Sequence, residues 1–167
     1  YNQINRKALY TEYKAQIDRF EVWFGKSPTH VDTHHHLHRY ESVFEVLTEI
    51  AGEYGIAFRL SDCVNAEVRE HFNEREIVLA DHLLPDIDPF PYLTKPRLRE
   101  VLNQLPDGVV EIMCHPAVVD DELRKISSFV DERAGELDAL SDVLIRSYLK
   151  ELDIELINYG KLNSLVG

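Results

Sequence analysis

Val109-Val110-Glu111-Ile112-Met113-Cys114 runs directly into His115-Pro116. The first six residues are apolar on both faces of an extended chain except for Glu111. That is the pattern of a strand covered on both sides in a parallel sheet, not of a strand with one wet face. Pro106-Asp107-Gly108 supplies the turn before it, and Pro116, which has no N–H to give a ladder, ends it. Working outward, Thr94-Lys95-Pro96 opens a helix with proline near its first turn, and Leu98, Val101, Leu102 and Leu105 form its apolar face. On the other side, Ser141 reads as the cap of a helix running to about Leu152, and Ile154–Ile157 as a closing strand.

The same alternation holds toward the start of the chain. Leu9, Tyr13, Ile17, Phe20 and Phe24 recur at helical spacing, so a helix is expected over about Asn5–Phe24, stopped by Gly25. Thr29–Thr33 reads as a strand and Glu41–Tyr54 as a helix with Phe44, Leu47, Ile50, Ala51 and Tyr54 on one face. Gly55 ends that helix, and Ile56–Leu60 is a second strand. Ser61–Glu76 reads as an irregular loop with at most a helical turn, and Ile77–Ala80 as a third strand. Pro85, Pro89 and Pro91 then stiffen a loop carrying Asp86, Asp88 and Tyr92. Helices alternating with strands predict an α/β fold with a parallel sheet. The strands are too few for a closed β/α barrel, and the first helix has no strand before it. The chain is therefore expected to be the C-terminal portion (1–167) of a single larger β/α domain.

Composition narrows the function. With 44% hydrophobic and 29% charged residues the chain is globular in character. Lys and Arg total 18 against 30 Asp and Glu, a net charge of −12. An acidic surface repels phosphate backbones and anionic lipid, so no nucleic acid and no membrane is expected as partner. No apolar run reaches the ~20 residues that span a bilayer, and no charged-then-apolar segment opens the sequence, so no signal peptide is expected in it. Cys63 and Cys114 form no CxxC pair. Reduced thiols and a cytoplasmic setting are expected.

Five of the eight histidines fall between His30 and His38, in Thr29-His-Val-Asp-Thr-His-His-His-Leu-His38. If this stretch is a strand, His30, Asp32, His34, His36 and His38 share one face. Imidazoles and a carboxylate on one face suit a divalent metal. Those that do not ligate would orient a ring or touch substrate. A histidine-rich solvated loop is the competing reading. The other cluster is His115, placed where the best strand ends, which is where α/β folds keep their chemistry. A histidine that only stabilises the turn is the alternative there. Glu111, inside the apolar strand, needs a partner, and Arg59 at the end of the second strand is a candidate. Cys114 reads as a packing residue, and Arg133–Leu137 as a solvated loop entering the last helix.

These segments resemble a known family. Pro28-Thr-His-Val-Asp-Thr-His-His-His-Leu-His38 resembles the PTHxDxHHHxH signature of the YdjC-like carbohydrate deacetylases. Glu111-Ile-Met-Cys-His115-Pro-Ala, with Asp120 or Asp121 following, resembles another signature of that family. Arg133-x-x-Glu136-Leu137-x-x-Leu140 and Ile154–Tyr159 resemble stretches near the end of the family's sequences. The resemblance implies a distorted β/α (TIM-like) barrel, here partial, and an Asp-His-His metal site to which this segment gives His34. The other two ligands belong to upstream motifs that this sequence does not contain, so the chain alone is expected to be inactive.

The resemblance further implies a metal-dependent hydrolase that removes N-acetyl groups from amino sugars such as chitooligosaccharides, as in chitin degradation, and releases acetate. A divalent ion, magnesium or zinc, would polarise the amide and activate water. His115 is the expected acid for the leaving amine, a role that imidazole fills more often than any other side chain. Asp32 would orient a histidine or bind substrate. His30, His36, Arg59 and Tyr92 are expected substrate contacts. The partner is an N-acetylated oligosaccharide, and open sheet edges predict self-association, most simply a homodimer. Another metal-dependent amidohydrolase and an inactive carbohydrate- or metal-binding module are the alternatives.

Overall fold

The computed structural model describes residues 5–59, 66–84 and 92–166. It divides into two compact units, Tyr1–Ala80 with Ile157–Gly167, and Asp81–Leu156.

In the first unit, α1 (Arg6–Phe24) starts where Asn5 accepts a hydrogen bond from the Ala8 N–H and stops at Gly25 in the left-handed region. Its early apolar residues Leu9, Tyr10, Tyr13 and Ile17 pack on the core. The stripe does not continue inward as expected, because Trp23 and Phe24 at the last turn are mostly exposed. β1 (His30–Val31) pairs in parallel with β2 (Ala57–Phe58). Between them α2 (Glu41–Tyr54) ends at Gly55, again left-handed, as the sequence indicated. Val46, Ile50, Ala51 and Phe58 are fully buried with Phe72 from α3 (Ala66–Asn73). Burial of each large apolar side chain contributes about 2 kcal/mol. The helix α3 lies inside the stretch expected to be an irregular loop. Ile77–Ala80 is extended but not a strand. Its link to the sheet is the Phe58 N–H donating to the Val78 carbonyl at 3.1 Å.

In the second unit, β3 (His82–Leu84) pairs in parallel with β4 (Val110–Ile112). The expected central strand is thus present but short and half-buried, with β3 as its partner. Leading into β4, α4 (Lys95–Asn103) is capped by Thr94, whose hydroxyl accepts from the Arg97 N–H. Leu98 and Leu102 from its apolar face are buried with Leu93, Ala139 and Leu149. After β4 come α5 (Asp121–Ile126), α6 (Asp131–Leu140) and α7 (Ile145–Glu151). Ser141 closes α6 instead of opening the last helix, and its hydroxyl donates to the Leu137 carbonyl. The next helix begins only after the Asp142 side chain has accepted the Leu144 N–H.

Ile154–Ile157 forms no strand. The Ile154 N–H turns back to the Leu149 carbonyl, and the side chain packs on the second unit's core instead of entering a ladder. The chain then forms α8 (Tyr159–Val166), which residue pattern did not reveal, as part of the first unit. The fold is mixed α/β with short parallel sheets. Among the described residues no helix is long and apolar enough to cross a membrane. Pro85, Asp86, Asp88, Pro89, Pro91 and Cys63 lie outside the described residues.

Candidate functional site

The histidine stretch is not a strand. The ladder ends at Val31, and His34–Arg39 forms a tight 3-10 turn that delivers the chain to α2. A strand continued to His38 would leave no residues for that turn, since α2 begins at Glu41. His35 and His36 both sit in the left-handed region, with φ of 54° and 53°. Each such residue costs about 1–2 kcal/mol for a side chain with a Cβ. Strain of this kind persists where the surroundings fix it, and it gathers at functional sites.

The alternating face is therefore lost, and the five polar side chains separate. His38 is buried against the edge of Phe58, with ring centroids 5.8 Å apart. Its Nδ1 lies 2.8 Å from the buried Thr33 hydroxyl, which also accepts the His38 backbone N–H. This histidine is a satisfied structural group that locks the turn. His30 stacks flat on Tyr159 of α8, 4.0 Å between centroids. Asn163 of the same helix donates to the Thr29 carbonyl at 2.9 Å. Asp32 accepts its own neighbour's Thr33 N–H on one oxygen, and Arg59 on the other at 2.7 Å. That places Arg59 on Asp32, where Glu111 had been the expected candidate partner. His34 is exposed, its ring edge-on to His35 at 4.1 Å, and His36 is edge-on to His38 at 5.6 Å.

Among the described residues no three His, Cys, Asp or Glu side chains come together in a way that could hold a metal ion. The described part of the chain does not make a metal site by itself. A cleft of about 580 Å³ in the same unit is lined by Arg6, Thr48, His71 and Arg75 among others, and none of the expected site residues lines it.

In the second unit, His115 follows β4 with an exposed side chain, and its backbone is held on both sides. Its N–H donates to Glu136 Oε2 at 2.5 Å, and its carbonyl accepts from Arg133 at 3.2 Å. Arg133 also donates through Nε to the Phe129 carbonyl at 2.9 Å and lies over the Phe129 ring. That ring meets the His115 imidazole edge-on at 6.0 Å. Pro116 biases His115 to an extended backbone, so the imidazole is presented from a fixed main chain.

Arg133 and Glu136 are not in a solvated loop. They lie in α6, and Glu136 is 2% exposed. A buried carboxylate is costly unless hydrogen-bonded. This one accepts two backbone N–H bonds, from His115 and, on its other oxygen, from Leu93 at 3.3 Å. Its neighbour Gly135 faces the ring of Tyr92, a residue 39% exposed. Cys114 is half-buried and packs on the second unit's core, as a packing residue does. Asp120 is spent as the cap of α5, accepting the Leu123 N–H.

A family model described as YdjC-like protein matches residues 1–151. The chain belongs to the YdjC-like family. A carbohydrate deacetylase of Clostridium beijerinckii is 35% identical over 152 residues, 89% of this chain and 58% of that protein. A carbohydrate deacetylase of Geobacillus stearothermophilus is 34% identical over 161 residues, 92% and 59% of the two chains. A chitooligosaccharide deacetylase of Escherichia fergusonii is 27% identical over 89% of this chain and 58% of its own. Among solved structures, an Enterococcus faecalis protein described as a cellobiose-phosphate cleavage protein superposes with a TM-score of 0.79 at 26% identity. That match covers 96% of this YdjC-like chain and 62% of the other. The chain thus spans under two thirds of the length of each relative named here.

Proposed function

We propose that this YdjC-like chain is a portion of a carbohydrate deacetylase that hydrolyses the N-acetyl amide of amino sugars such as chitooligosaccharides, with His115 as its general acid. The observation that carries the assignment to His115 is the clamp on its main chain. Glu136 holds its N–H and Arg133 its carbonyl, while the imidazole stays exposed. A catalytic acid needs a fixed origin and a free ring. In the reaction a carboxylate base, by family analogy an Asp of the upstream motif, takes a proton from water, the water oxygen joins the carbonyl carbon and the C–N bond breaks. The amine leaves with the proton that the His115 imidazolium supplies, and acetate is the other product.

The family relationship and the deacetylase names of the relatives support the reaction class. In the same reading the paired parallel strands are pieces of a distorted β/α barrel, and His34 gives one ligand to a divalent ion, magnesium or zinc. The described residues do not complete that ligand set. Asp32 orients the segment through Arg59. His30, His36, Arg59 and Tyr92 contact the N-acetylated oligosaccharide. Exposed Val22, Trp23 and Phe24 at the end of α1 support self-association as a homodimer. Light scattering over a wide concentration range checks that.

The decisive experiment is His115→Asn in the full-length enzyme, with acetate release from an N-acetylated chitooligosaccharide as the readout. Loss of an acid lowers kcat by about 10²–10⁴-fold, with melting temperature and metal content retained. A mutant with near-normal turnover and lowered stability would make His115 a turn residue and end this reading.

A further inference from the structure

Two consecutive residues of α6 both touch the segment at 92–93, and the second also reaches residue 115. Glu136 joins segments distant in sequence, because one carboxylate oxygen takes the Leu93 N–H and the other the His115 N–H. The main chains at 93 and 115 are therefore separated by no more than the span of one carboxylate and its two hydrogen bonds. Gly135 acts on the residue beside Leu93. A Cβ at that position would lie 3.0 Å from Tyr92 Cε2 and 3.3 Å from Cδ2. The Tyr92 ring thus rests on a bare Cα that a larger residue would obstruct, and part of it remains open to solvent. An aromatic ring backed by helix main chain and partly exposed offers a firm surface for the C–H face of a sugar ring, with the phenol as a polar tip.

We propose that Gly135 and Glu136 are positioning residues that set Tyr92, as a sugar-contacting ring, at a fixed separation from the His115 acid. Gly135 seats the ring and Glu136 ties its backbone to that of His115. The proposal rests on the deacetylase reading of His115 and deepens it. Binding and proton transfer then share one rigid reference, a single turn of α6, and geometry kept in this way is what lets remote substrate contacts act on the reacting bond.

The experiment uses the full-length enzyme and an N-acetylated chitooligosaccharide. Gly135→Ala puts a methyl 3.0 Å from the ring edge and must shift the ring by a few tenths of an ångström, so KM should rise several-fold with kcat within about twofold. Glu136→Gln keeps the shape but has one acceptor where there were two, and its amide would face a backbone N–H. It should lower kcat by tenfold or more with a smaller change in KM. A merely structural role would reduce active enzyme without separating the two constants. The Tyr92→Leu background guards against misfolding, because the shorter side chain leaves room for the new methyl. There Gly135→Ala should fold and add no further rise in KM. Additive effects in that background, or failure to fold in it, would overturn the seat. An unchanged kcat in Glu136→Gln would overturn the tie. If His115→Asn loses turnover while both α6 variants keep wild-type constants, the acid reading stands and this proposal falls. If His115→Asn is fully active, the acid reading itself is gone.

Discussion

The histidine stretch 30–38 and the strand-to-turn stretch 109–116 carry the two signatures of the family, and they behave in opposite ways. Residues 30–38 have the pattern of an ordered row of ligands on a strand, yet they fold as a strained turn. Their histidines have separate duties, with one buried, one stacked on α8 and two exposed. Residues 109–116 have the pattern of a strand ending at a histidine; the strand forms but stops at Ile112, three residues before His115, and what fixes that histidine comes from a distant helix. Alternation along a chain is informative only while the chain stays extended. A short β-to-α connection ended that condition at Val31.

The comparison can be broken most forcefully at Glu136. Glu136→Leu removes the acceptor from the N–H groups of Leu93 and His115, at about 1–3 kcal/mol for each buried donor left unpaired. Urea unfolding should show a loss of about 3 kcal/mol or more. A loss under ~1 kcal/mol would mean that His115 is held by something else.

In the histidine turn the matching change is Thr33→Val, which keeps shape and removes the hydroxyl from His38. A loss of about 1–2 kcal/mol is expected. Were the segment a strand, Thr33 and His38 would lie on opposite faces, and the swap to valine would be neutral or stabilising.

A smaller effect tests the strain. His35→Gly should be more stable than His35→Ala by about 1 kcal/mol, because only glycine adopts positive φ without a Cβ clash. Equal melting temperatures would argue that the turn is not left-handed in solution.

The smallest effect comes from a carboxylate that contrasts with Glu136 by sitting at the surface. The Leu144 N–H, joined by the Lys95 ammonium, holds the Asp142 carboxyl below its ordinary 3.8. A depressed carboxyl stabilises the fold fully above its unfolded value, and that contribution is lost as pH falls through the lower folded value. Asp142→Asn should therefore leave stability at pH 7 slightly reduced and flatten the acid side of the stability curve below about pH 4. An unchanged acid limb would discount the interaction.

Several features were readable from residue pattern alone. Helices α1, α2 and α4 have their apolar spacing, and Asn5, Thr94, Gly25 and Gly55 mark their ends by local chemistry. The family signatures were also legible, because they are statements about residue order. The buried role of Glu136 was not. A charged residue in a mixed-charge stretch resembles a solvated one unless one knows that the N–H groups of residues 93 and 115 converge on it. A signal did exist, since Arg133 and Glu136 are one helical turn apart, but the stretch lacked a helix-opening residue. Val130, which makes no side-chain cap, stands where a cap would. The closing strand failed because extended propensity needs a partner, and at Ile154 the nearest acceptor was the carbonyl of Leu149.

The sequence by itself determined the membership in the YdjC-like family, the α/β character, the limits of α1, α2 and α4, and the position of His115 after a strand. All of these depend on neighbours within a turn or a strand. Tertiary structure alone decided which histidines are buried, that Asp32 meets Arg59, that Tyr159 covers His30, and that one carboxylate joins Leu93 to His115. Those outcomes depend on which unpaired donors and acceptors meet once distant segments pack. Residue spacing does not encode that, because buried polar groups take the partners that the folded chain brings within reach.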